Sequence, residues 1–158
     1  QGFSAWTEFV RQRSISVRFI ELMRTGDNQA FFERQHVSGS VLRDWLLARG
    51  WVPVARGADD GPAIEFHHTD YAGRIGLIAP YAPGFCDGCN RLRVNARGQL
   101  RLCLFGRGGR DLRDLLASDD QKAELQRRIV DAMQLKPSSH ALHVGDAGDA
   151  RNLAQTGG

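Results

Sequence analysis

Three cysteines, Cys86, Cys89 and Cys103, constrain this chain more than any other feature. The first two form a Cys-x2-Cys pair in Phe85-Cys86-Asp87-Gly88-Cys89-Asn90-Arg91-Leu92-Arg93-Val94, and Cys103 follows after thirteen further residues. An odd number cannot close a complete disulfide framework, so the pattern points to a reducing compartment and a metal site. The stretch between turns at Asn95-Ala96-Arg97-Gly98, where Gly98 suits the left-handed position of a bulged hairpin. Pairing Asn95 with Gln99 sets Arg93 opposite Arg101 and Arg91 opposite Cys103. Side chains alternate along a strand, so Leu92, Val94, Leu100, Leu102 and Leu104 are expected on a core face. Arg91, Arg93, Arg101 and Cys103 then share the other face. Two arginines directly opposite repel unless an anion lies near them, and phosphate is a natural candidate.

The donor set leaves two metals open. A [4Fe–4S] cluster normally takes four thiolates, so three cysteines leave one iron open to substrate. Zinc is the alternative, because Cys3His is a common structural set and His67, His68, His140 or His143 could complete it. Spacing alone rates the two equally. The plain reading of the arginines is a solvated strand face.

Size and composition narrow the class. A chain of 158 residues with 42% hydrophobic and 25% charged residues is ordinary globular protein of about one domain. No apolar run approaches a membrane span, and no secretion signal is visible, so a cytoplasmic location is expected. The net charge of +3 does not argue for nucleic acid. Residues 3–12 read as a helix with Phe3, Trp6 and Val10 on one side, and residues 15–22 as a strand. A helix is expected at 40–49, ending at Gly50, with short strands at 51–55, 63–68 and 74–79. Ser118-Asp119-Asp120-Gln121 matches a capping box opening a helix with Leu125, Ile129, Val130 and Met133 on one stripe. The last twenty residues look like an extended tail. The opening helix and strand resemble one leftover βα unit, and a full (β/α) barrel needs about 250 residues.

Taken together, Val17-Arg18-Phe19-Ile20-Glu21-Leu22-Met23, the helix from Ser38, Asp70-Tyr71-Ala72-Gly73-Arg74-Ile75-Gly76-Leu77-Ile78-Ala79-Pro80-Tyr81, the cysteine hairpin and the terminal Gly157-Gly158 resemble the GTP 3′,8-cyclase family. These are radical S-adenosylmethionine (SAM) enzymes of molybdenum-cofactor biosynthesis. The resemblance implies an α/β or α+β fold: the last strand–helix unit of an incomplete (β/α) radical SAM barrel over 1–28, then a cluster-binding domain with a small antiparallel sheet and helices over 29–145, and an extended tail over 146–158. It implies that Cys86, Cys89 and Cys103 hold a second [4Fe–4S] cluster with one open iron, and that Arg91, Leu92 and Arg93 contact GTP. Met23 would contact SAM, Arg18 would point into the active-site cavity, and Gly157 and Gly158 would reach into the site. In such enzymes a SAM-derived radical takes hydrogen from C3′ of GTP, and the C3′ radical attacks C8 of guanine. The SAM-cleaving Cys-x3-Cys-x2-Cys motif is absent from these residues. The isolated chain is therefore expected to be inactive without a partner N-terminal half. The alternatives are a zinc-stabilised interaction module and an independent nucleotide-binding domain. The strand at 15–22 would expose an edge, so a homodimer is expected.

Overall fold

Alternation over residues 15–22 produces the strand it suggests: in β1 (Ser16–Ile20), Val17 and Phe19 turn to the core while Ser16, Arg18 and Ile20 stay exposed. The structure is a computed structural model, and it describes residues 2–57 and 59–153. Two compact units are present, Gln1–Met23 with Gln35–Cys89, and Arg24–Arg34 with Asn90–Gly158.

In the first unit, α1 (Phe3–Val10) lies before β1, and the rings of Phe3 and Trp6 meet Phe19 edge-on at 6.0 Å. α3 (Gly39–Leu47) opens at Ser38, whose hydroxyl accepts the Ser40 amide, and the chain reverses at Gly50 with φ 80°. β2 (Val52–Pro53), β3 (Ile64–His67) and β4 (Arg74–Ile78) complete a sheet in the order β1-β4-β3-β2. β2, β3 and β4 pair antiparallel, as short sequential strands should, but β1 pairs parallel to β4 from Ser16 opposite Arg74 to Ile20 opposite Ile78. The sheet is therefore mixed. β1, read from sequence as the end of a barrel, is bonded along its length to β4.

One face of this sheet is apolar. Val10, Leu42, Leu46, Trp51, Phe66, Ile75 and Leu77 form its core, and Phe66 and Ile75 are fully buried. Truncating a buried side chain such as Phe66 to alanine typically costs about 3–5 kcal/mol. The opposite face carries Ser16, Arg18, Glu65 and Arg74, without helical cover from α1 or α3.

In the second unit, β5 (Arg93–Val94), β6 (Gln99–Arg101) and β7 (Arg110–Asp111) form an antiparallel sheet in that order. Its core is Leu100, Leu112 and Ala132, with Leu92, Leu102, Leu125 and Ile129 packed against it, so α4 (Lys122–Met133) covers the sheet through its apolar stripe. The capping box expected at Ser118 is not made. A 3-10 turn at Asp119–Gln121 intervenes, Ser118 makes no side-chain cap bond, and the Gln121 side-chain Nε2 donates to the Asp114 carbonyl instead. α2 (Gln29–Gln35), not anticipated from sequence, buries none of its residues and so shows no apolar stripe.

The C-terminal stretch is pinned as far as it is described. Asp146 accepts two bonds from Arg107 at 2.9 Å, the Asp149 amide donates to the Gly106 carbonyl, and the Ala150 and Arg151 carbonyls accept from Gly26 and Asp27. Gly148, at φ 59°, lies against the Phe105 carbonyl so closely that a Cβ there would sit 2.3 Å from it.

Candidate metal and nucleotide site

Cys86 and Cys89 share one tight turn. The Cys89 amide donates to the Cys86 carbonyl at 3.0 Å, the Asp87 amide donates to Gly84, and Gly84 and Gly88 take φ of 73° and 66°. Both cysteines are half-buried. Each glycine supplies a left-handed backbone that would strain another residue, and this folds two thiols onto one loop.

Cys103 lies in the second unit, just past β6. It too is half-buried, and its carbonyl accepts the Gly106 amide at 3.3 Å. It borders a cavity of about 440 Å³ floored by Leu100, Leu102 and Ala132 and edged by the loop Gly106–Arg110. Among the described residues, no three His, Cys, Asp or Glu side chains converge as a metal-holding group. The structure thus pairs Cys86 with Cys89 on a turn and sets Cys103 on a separate ribbon. Two cysteines on one turn are thiolate donors of a kind that both iron and zinc accept.

The hairpin has the register expected from sequence at its closed end. Arg93 stands opposite Arg101 and Val94 opposite Leu100, with Gly98 at φ 72° in the turn. Two details differ. Val94 is 50% exposed and outside the core, because α4 covers the ribbon near Leu92, Leu100 and Leu102. Arg101 is buried rather than solvated. It donates to the Gly106 carbonyl at 2.8 Å and faces Asp149 at 3.5 Å, so a carboxylate of this chain supplies the anion that the arginine pair demands. The ladder also stops at Arg93, so no strand pairing joins Arg91 to Cys103. The carbonyls of Arg91 and Leu102 both accept from Lys136 instead.

Arg18 lies on the sheet face opposite the helices. Its Nε reaches Glu65 at 2.8 Å, and the Ser16 hydroxyl donates to the same carboxylate at 2.5 Å. Gly76 makes that crossing possible, since a Cβ there would sit 2.8 Å from Arg18 Cγ and 2.9 Å from Glu65 Oε1. Arg18 borders a cavity of about 270 Å³ together with Arg56 and Arg74. Met23 is half-buried, three residues beyond β1. Gly157 and Gly158 lie outside the described residues. Of the four histidines considered as zinc ligands, His67 is exposed at the end of β3 and the other three have contacts of their own. His68 Nδ1 accepts the Asp70 amide, while buried His140 stacks on His143 and its Nδ1 accepts the Leu142 amide.

The family model for molybdenum cofactor synthesis C matches residues 15–142, most of the chain. The chain belongs to the molybdenum cofactor synthesis C family. It is 54% identical to a GTP 3′,8-cyclase of Klebsiella pneumoniae over 99% of its own length and 46% of that protein. It is 53% identical to one of Haemophilus influenzae, again over 99% of this chain and 46% of the relative. For one of Stenotrophomonas maltophilia the identity is 54%, over 97% of this chain and 47% of the relative. The chain spans about half the length of the curated relatives it matches, and corresponds to their C-terminal part. Sequence reasoning missed Glu65, Lys136 and Asp149. Only Gly76, a glycine inside a strand, signalled a close approach.

Proposed function

We propose that this chain is the GTP-binding, second-cluster portion of a GTP 3′,8-cyclase acting in molybdenum-cofactor biosynthesis. The observation that carries the reading is the 54% identity running over 99% of the chain to proteins of that name. The Cys86–Cys89 turn and, separately, the ribbon in which Arg93 stands opposite Arg101 with Cys103 just beyond it support the reading.

In this reading Cys86, Cys89 and Cys103 hold a [4Fe–4S] cluster. Three ligands leave one iron able to accept a guanine nitrogen or oxygen. Arg91, Leu92 and Arg93 line the nucleotide, the arginines serving phosphate or base through paired N–H donors. Arg101 takes no part in that contact, because Asp149 and the Gly106 carbonyl already engage it. Arg18, oriented by Glu65 across Gly76, projects toward the active-site cavity. Met23 touches SAM, and Gly157 with Gly158 approaches the substrate, where the lack of side chains permits close contact. The SAM-cleaving cluster belongs to a partner N-terminal half, so the 158 residues alone bind GTP without cyclising it.

Anaerobic reconstitution of the chain with iron and sulfide tests this. The expected product carries about four iron and four sulfide per chain with broad visible absorption, and Cys103→Ala loses both the colour and affinity for GTP. A colourless protein containing one zinc, with GTP affinity unchanged by Cys103→Ala, would overturn the reading.

A further inference from the structure

Lys136 is one of only two lysines, with Lys122, in a chain that otherwise uses arginine for positive charge. It comes just after α4, where the Leu135 and Lys136 amides continue the helical turn by donating to the Ala132 and Met133 carbonyls. Its partly buried ammonium donates to the Arg91 carbonyl at 2.9 Å and to the Leu102 carbonyl at 2.6 Å. Both carbonyls lie beyond the last rung of the β5–β6 ladder, which ends with Arg93 opposite Arg101.

The cation therefore does what strand pairing does elsewhere. One small ammonium group bonded to both strands keeps them side by side at the level where the ladder has stopped. Lysine suits this place because its compact head carries three rotatable donors on a flexible stem. Hydrogen bonds from a charged donor to backbone carbonyls in partly buried surroundings are among the stronger ones, and losing the donor leaves two carbonyls without it. The base of the clamp is rigid: Ala132 and Ile129 of α4 pack on the same core as Leu92, Leu100 and Leu102. Leu102 adjoins Cys103, and Arg91 opens the strip Arg91-Leu92-Arg93.

We infer that Lys136 is a positioning residue that fixes the spacing between the nucleotide-contacting strip and the third thiolate, by clamping Arg91 and Leu102 together where the β-ladder ends. It touches neither substrate nor iron. The inference rests on the function proposed above for Arg91–Arg93 and Cys103.

The test uses the anaerobically reconstituted chain with Lys136→Met and Lys136→Arg. Iron retained per chain and the Kd for GTP are measured where circular dichroism shows each variant fully folded, with Tm recorded separately. Lys136→Met is expected to lose iron and to weaken GTP binding about tenfold, the scale of a lost charged hydrogen bond. Lys136→Arg, which keeps donors for both carbonyls, is expected to recover most of both. If Lys136→Met does not fold, Lys136→Gln, retaining a neutral donor, replaces it with an intermediate loss expected. Should the folded Met or Gln variant match the wild type in iron and in Kd while only Tm falls, the residue is merely structural and the inference is wrong. If the wild type itself takes up no iron and binds no GTP, the proposed function falls first and takes this inference with it.

Discussion

Opposite Arg93, the Arg101 guanidinium is buried, donates to the Gly106 carbonyl and faces the Asp149 carboxylate, which also accepts the Gly108 amide. Sequence spacing placed the two arginines opposite one another, yet could not show that one was already neutralised. The neutralising carboxylate lies 48 residues further along the chain. Removing it leaves a buried cation with one neutral partner, so Asp149→Ala is expected to destabilise the chain by about 1–3 kcal/mol. Urea unfolding reads this directly, and an unchanged midpoint would mean that the carboxylate is idle. Glu65 was hidden for a similar reason. Its partner Arg18 is 47 residues away and reaches it only because Gly76 stands between them without a side chain.

Among the elements, α4 carries the clearest sequence signal and the clearest error. Of its expected stripe, Leu125 and Ile129 pack on the core, but Val130 and Met133 are exposed and Ala132 packs in their place. The expected cap at Ser118 is replaced by a bond from the Gln121 side chain to the Asp114 carbonyl. The helix is tied to the sheet by Arg128, which donates to both oxygens of Asp114 and to the Asp111 carbonyl. The hydrogen bond from Arg128 holds the Asp114 carboxyl below its ordinary range, and the bonds from Arg113 hold Asp111 down at about 2. A carboxyl depressed by folding contributes stability above its unfolded pKa and loses that contribution as pH falls through the folded value. Stability is thus expected to decline as pH drops below about 4, the ordinary range of aspartate, toward the folded values. NMR titration of Arg128→Ala should show Asp114 moving up toward the ordinary range. An unmoved Asp114 would remove Arg128 as the cause.

At the scale of the whole molecule, β1 is, among the described residues, the outermost strand of its sheet, paired on one side with β4. Ile20 on that strand is 60% exposed, and Trp6 and Phe9 of the neighbouring α1 are also exposed. An open edge beside apolar surface invites pairing with another chain. Light scattering after size exclusion is expected to show this chain self-associating as its concentration rises, and Ile20→Lys is expected to shift it toward monomer. A wild-type chain that stays monomeric at every concentration contradicts the expectation. No helix among the described residues is long and apolar enough to cross a membrane.

Local patterns were enough for the amino-acid sequence to settle the strands and helices with strong periodicity, the hairpin turn at Gly98, the cross-strand pairing of Arg93 with Arg101, and the family. Each depends on residues near one another in the chain, where backbone geometry repeats every two or 3.6 residues. Only the tertiary structure decided that β1 runs parallel to β4, that Asp149 quenches Arg101, that Glu65 holds Arg18, and that Lys136 stands in for the missing rungs beside Cys103. Those contacts join residues dozens of positions apart. Which distant partner a charged side chain finds depends on how the helices and sheets pack, and no local period encodes that.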